Sequence, residues 1–233
     1  MYIPTIVLAG QSNAAGVPEG YGTLPVALQG DQVHRYSYCV YGEMTTAYND
    51  FLAPLASIRW GAEITLGDEI TTNLGQTYCV IKVAVGDTSL AVDWQVGGTM
   101  FEALTETVRE AIRQARLIGL CLDVTNFLWM QGETDAQTEA YADAYQANFT
   151  QMESDFQAQT GLSGYATIIG RIHNSLPAGS FPYSAAVRAA QDALGLLPGH
   201  TTFSTDALGL RGDFVHFDST GLQDLGVLFY NNL

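Results

Sequence analysis

Positive charge is what this chain most lacks. Lys82 is its only lysine, and its nine basic residues stand against 24 acidic ones, for a net charge of −15. Nucleic-acid binding needs clustered Lys and Arg to neutralise phosphates, and no such cluster occurs, so nucleic acid is not an expected partner. An anionic membrane surface would repel the chain for the same reason. Long hydrophobic runs are missing too: the longest apolar stretches are strand-sized, too short to span a bilayer. Cysteine is scarce and odd in number. Cys39, Cys79 and Cys121 each lie in or beside an apolar run, which favours buried free thiols over a disulfide framework. No Cys/His spacing suits zinc, and neither a metal nor another cofactor is expected. The N-terminus has no basic region and enters a strand almost at once, which predicts no signal peptide. A secretion signal or neighbouring domain outside this sequence would be compatible with extracellular or virion-associated action.

What is present is apolar and glycine-rich. With 47% apolar and 14% charged residues over 233 positions, the chain can bury the core of one α/β domain, taken as residues 1–233. Short β-rich apolar runs at residues 2–9, 78–85, 124–130 and 166–172, with a weaker one at 33–40, predict strands covered on both faces. Between them, Phe101, Leu104, Val108, Ile112 and Ala115 recur at helical spacing, with Gly119 as a stop. Tyr141, Tyr145, Phe149, Met152 and Phe156 form a second stripe closed by Gly161, and an aromatic stripe of this kind reads as core. Residues 63–74, 184–194 and 219–230 read as further helices. The alternation predicts a three-layer α/β/α sandwich around a mostly parallel sheet.

Such folds bind ligands outside the carboxyl ends of their strands. There the sequence places Gly10-Gln11-Ser12-Asn13, Gly86-Asp87-Thr88-Ser89, Gln131-Gly132-Glu133-Thr134-Asp135 and His173-Asn174. Asp213-Phe214-Val215-His216-Phe217 stands just before the last helix. These residue types suit acyl transfer. A serine hydroxyl is a weak nucleophile until a base takes its proton, and the base must be held in one tautomer. Asp213, three residues before His216, can place its carboxylate on one ring nitrogen and leave the other for the serine. Taken singly, Ser12 reads equally well as a helix N-cap, although a nucleophile there would gain from the helix dipole. His216 alone reads as a packed or solvated histidine.

Together these blocks resemble the SGNH hydrolases, in the branch of the sialate O-acetylesterases and family 6 carbohydrate esterases. Leu8-Ala9-Gly10-Gln11-Ser12-Asn13 is similar to the first block of that branch, and Val85-Gly86-Asp87-Thr88-Ser89 to the second. Trp129-Met130-Gln131-Gly132-Glu133-Thr134-Asp135 is similar to the third, and Asp213-x-x-His216-Phe217 to the last. Asp87 departs from the pattern, standing where the branch often has a second glycine. The resemblance implies a flavodoxin-like sheet and a serine esterase that removes O-acetyl groups from carbohydrates through an acetyl-enzyme. In it Ser12 is the nucleophile and His216 the base. The backbone N–H groups of Ser12 and Gly86 and the side-chain amide of Gln131 would form the oxyanion hole. Asp213 is the favoured orienting acid, with Glu133 as the alternative or as a brace acting through Asn13.

Other residues carry paired readings. Gln131 also fits a strand-end polar residue satisfying backbone groups. Asn13 and Trp94 are candidates for substrate binding, Trp94 equally for packing beneath a loop. His173 reads as a loop or core histidine, Arg188 with Gln191 as a buried structural pair, and Lys82 as a lysine snorkelling from a strand at the sheet edge. Segments 16–30 and 36–49 mix Tyr, Gly and polar residues suited to sugars, or are ordinary surface loops. The competing functions are a general short-chain or lipid acyl esterase and a non-catalytic glycan-binding or virion domain on the same fold.

Overall fold

The near-continuous apolar runs become the centre of a six-stranded sheet. The computed structural model describes residues 2–16, the backbone of 34–40, and residues 60–74 and 78–233. Strands β1 (Tyr2–Gly10), β2 (His34–Val40), β3 (Cys79–Val85), β4 (Cys121–Met130), β5 (Ala166–Arg171) and β6 (His200–Ser204) lie in the order β2-β3-β1-β4-β5-β6. Every pairing is parallel, with Ala9 set between Val83 and Trp129. Apart from the added edge strand β2, this is the flavodoxin order. Burial of Thr5 to Gly10 without a break requires cover on both faces, as parallel sheets demand.

Helices supply that cover in an α/β/α sandwich. After the single turn α1 (Ser12–Ala15) come α2 (Ala62–Leu74), α3 (Thr99–Leu117), α4 (Glu139–Thr160), α5 (Ser184–Leu194) and α6 (Ser219–Tyr230). Helix α2 packs on α6, and α3, α4 and α5 pack in succession. Phe101, Leu104 and Val108 of α3 and Tyr145, Phe149, Met152 and Phe156 of α4 are buried, as their spacing predicts. The α4 stripe ends at Gly161, whose φ of 73° and N–H to Gln157 O (2.9 Å) close the helix. Cys79 and Cys121 are free thiols, and burial pushes the Cys79 thiol up to about 12. The side chain of Cys39 lies outside the described residues.

Lys82 does not snorkel. It sits in β3, next to the central strand, fully buried, and its Nζ reaches Glu63 Oε2 of α2 at 2.7 Å and Ala15 O at 2.6 Å. The ammonium therefore meets the carbonyl end of α1, the favourable pole of a helix for a cation, and Glu63 balances the charge. A buried charge left alone is far costlier than the pair itself is stabilising. Lys82→Met is accordingly expected to lower unfolding free energy by about 3–5 kcal/mol, and adding Glu63→Gln to it should recover part of the loss. Urea titration of the three variants checks this, and a single-variant loss under about 1 kcal/mol would show the pair to be energetically idle.

Candidate active site

The site begins where β1 runs out. Gly10 passes so close to β4 that a Cβ would collide with the Met130 carbonyl, so no other residue fits there. Gln11 N–H then donates to Met130 O (3.0 Å), and the Gln11 carbonyl accepts from Ala14 and Ala15 N–H. The chain is thereby turned sharply into α1, and Ser12 becomes its first residue rather than its cap, which is Gln11. Ser12 is 7% exposed and lines a cleft of about 390 Å3 together with Gly86, Glu133 and His216.

His216 arrives on a loop closed around Asp213. One carboxylate oxygen of Asp213 accepts from Val215 N–H and His216 N–H, both at 2.9 Å, and the other lies 2.8 Å from His216 Nδ1. Phe214 takes a φ of 58° to make this possible, a left-handed conformation uncommon for a bulky residue. The antiparallel Leu210–Phe217 bridge and the Arg211 N–H to His216 O bond (2.8 Å) close the loop's base. Partial burial pushes the Asp213 carboxyl up, but the His216 and Val215 hydrogen bonds outweigh it and hold the group at about 2. A carboxylate accepts only, so Nδ1 donates the proton of this bond and Nε2 is the ring nitrogen that Asp213 leaves unused.

Asn13 ties the two halves together. Its amide donates to Glu133 Oε1 (2.8 Å) and Val215 O (3.0 Å), and its Oδ1 accepts from Phe217 N–H (3.0 Å). Both neighbours of His216 are thus bonded to the residue that follows Ser12. With all these groups engaged and 2% exposure, Asn13 is a brace and not a contact for substrate. Glu133 is the other end of that brace. It is buried beside the cleft, and desolvation raises its carboxyl above the ordinary range. Of the two candidate acids, Asp213 bonds the imidazole and Glu133 bonds Asn13.

For two further residues burial favours one of the paired readings. Gln131 is fully buried, and its amide nitrogen is spent on Thr88 O (2.9 Å) and Asp135 Oδ2 (2.6 Å). Tyr145 OH bonds its carbonyl groups and Gln191 Nε2 its backbone oxygen. Both side-chain N–H groups of Gln131 are therefore engaged away from the cleft. Its role is to hold the loop after β3, in concert with Asp135, whose carboxylate accepts from Leu90 and Ala91 N–H. Trp94 is also fully buried, its Nε1 on Thr88 Oγ1 (3.1 Å) and its ring edge-on to Trp129 at 4.9 Å, so no sugar can stack on it.

The remaining candidates divide cleanly. Gly86 and Asp87 line the cleft. Asp87 has a φ of 60°, which explains why glycine suits this position. His173 is a buried histidine whose Nδ1 accepts from Ser175 N–H, and Arg188 pairs with Asp206 while Gln191 bonds Ile172 N–H. Segments 16–30 and 36–49 lie, but for Gly16 and the backbone of 36–40, outside the described residues. Gln11 is a lining residue the sequence did not single out: its Oε1 accepts from Gly132 and Thr134 N–H, each at 3.3 Å. Among the described residues no group of three or more His, Cys, Asp and Glu is placed to hold a metal ion, and no helix is long and apolar enough to cross a membrane.

Solved structures of other proteins share this fold. A protein from Arabidopsis thaliana superposes with a TM-score of 0.76 at 20% identity, over 98% of this chain and 96% of that one. NanS gives 0.71 at 14% identity over 100% and 98%. A carbohydrate acetylesterase from Xanthomonas citri gives 0.68 at 17% identity, over 98% of this chain and 55% of that one. At these identities the likeness establishes the fold. No curated protein matches in sequence. The family model described as "Carbohydrate esterase, sialic acid-specific acetylesterase" matches residues 4–233, and to that family of carbohydrate esterases the chain belongs.

Proposed function

We propose that residues 1–233 act as one serine esterase domain that removes O-acetyl groups from carbohydrates through an acetyl-enzyme intermediate. The observation that carries this reading is the Asp213-oriented His216 lining the same cleft as Ser12. His216 Nε2 takes the Ser12 proton as Oγ attacks the acetyl carbonyl, and returns it to the sugar oxygen as that oxygen leaves. A water then attacks the acetyl-enzyme, giving its proton to His216, and acetate departs as Ser12 is reprotonated. Backbone N–H groups of Ser12 and Gly86 hold the oxyanion. With Gln131 committed elsewhere, the amide nitrogen of Gln11 is the side-chain donor nearest in kind, its oxygen fixed by Gly132 and Thr134. Removing one such donor typically slows turnover about 100- to 1000-fold.

Acyl length separates this reading from a lipid esterase. Among the described residues, Val85, Phe181 and Val215 supply the hydrocarbon side chains that line the cleft, with no long apolar groove leading from them. A long apolar groove would reward each added methylene by up to ~0.8 kcal/mol, so a lipase improves along the series. Here kcat/KM for p-nitrophenyl esters is expected to be highest with acetyl and to fall steeply by butyryl or hexanoyl. Equal efficiency on octanoyl esters would refute the carbohydrate-deacetylase assignment, and no cleavage of any ester would favour a binding domain.

A further inference from the structure

The cleft's charge bears on which sugars it accepts. Asp87 is exposed at its wall, at a position whose φ of 60° Asp tolerates better than most residues. Asp213 is not itself a lining residue; it stands behind His216, its side chain 45% exposed and anionic down to about pH 2. Among the described residues no Lys or Arg lines the cleft. Four of the nine basic side chains are engaged in ion pairs elsewhere: Lys82 on Glu63, Arg171 and Arg188 on Asp206, Arg113 on Glu110. Arg211, close to Asp213 in sequence, is not a lining residue.

We propose that Asp87 makes this cleft select acetyl esters of neutral sugars over sugars that carry a carboxylate. The inference rests on the esterase reading above and narrows its substrate class. A cleft lined with one sign of charge focuses its field between low-dielectric walls and depletes ligands of that sign. Sialic acids carry a carboxylate, so this member's cleft is set against the very sugar its family's description names. Nor does a guanidinium among the described lining residues offer the two-pronged contact that a carboxylate would need.

The test uses one acetylated sialic acid in two forms, the free acid and its carboxamide, which differ only in the charge. Acetate release gives kcat/KM for each at low and at physiological salt. The wild type is expected to favour the carboxamide by on the order of five- to tenfold at low salt, with the ratio shrinking as salt screens the cleft. Asp87→Asn and Asp87→Gly both suit the left-handed backbone and should bring the ratio towards one; the ratio, not either rate, is the readout. Equal or better cleavage of the free acid by the wild type overturns the inference, as does a ratio unchanged in both variants. If the wild type cleaves neither form nor p-nitrophenyl acetate, the esterase reading itself falls, a result distinct from both.

Discussion

Ser12→Ala is expected to abolish ester turnover, with a loss on the order of 10⁵- to 10⁶-fold in kcat, while the protein stays folded. A nucleophile and its base act as a unit, so deleting either removes the covalent route altogether. What survives is the modest acceleration from oxyanion donors and binding. The fold should tolerate the change. The interactions that shape the turn are made by backbone groups, Gly16 N–H to Ser12 O (3.0 Å) and Ala14 N–H to Gln11 O (3.0 Å), and alanine is a better helix former than serine. Unchanged circular dichroism with background-level acetate release is the expected pair of results. An active Ser12→Ala variant would contradict the mechanism.

Asp213→Asn should come next in size, at roughly the ~10⁴-fold typical of an acid lost from such a triad. An asparagine amide can donate to Nδ1, which turns the imidazole to the wrong tautomer, and it also weakens the acceptance of Val215 and His216 N–H that shapes the loop. Glu133→Gln should cost far less, within about tenfold, because a neutral acceptor still receives the Asn13 amide where burial already disfavours a carboxylate. A greater loss at Glu133, with both variants folded, would reverse the two roles. The pH dependence follows. Asp213 sits below its ordinary value when folded, so its contribution to holding the loop is complete above the usual carboxylate range and is lost only as pH falls through about 2. A decline of activity well above pH 2 therefore does not report protonation of Asp213.

Strands buried on both faces were legible because their apolarity is unbroken. The run from Thr5 to Gly10 needs no tertiary knowledge to be seen. Strand β6 left no such mark, since in His200–Ser204 only Phe203 is buried. The start of β4 was also obscure: Cys121 to Thr125 alternates in burial before the strand enters the core. The site divides in the same way. Asp213 and His216 are close in sequence, and their hydrogen bonds are local, so spacing alone suggested them. Gln131 and Trp94 each keep two readings in the sequence, because a position beyond a strand end says nothing about which way a side chain turns. Gln131 turns inwards to Asp135 and Tyr145, partners set by folding. Lys82 was misread because its partner Glu63 lies on α2, 19 residues back in the chain, and nothing in a single basic residue within a strand announces a buried acid beside it. Asn13, bonded across 120 and 204 residues, could be suspected as a brace to Glu133 but not as the link to both sides of His216.

Covalent labelling tests the central claim most directly. A serine-reactive phosphonate should inactivate the wild-type protein with one adduct, and peptide mass spectrometry should place its added mass on Ser12. His216→Ala should label far more slowly, because the hydroxyl has lost its base. An adduct on another residue, together with retained turnover in Ser12→Ala, would contradict the assignment of Ser12 as nucleophile.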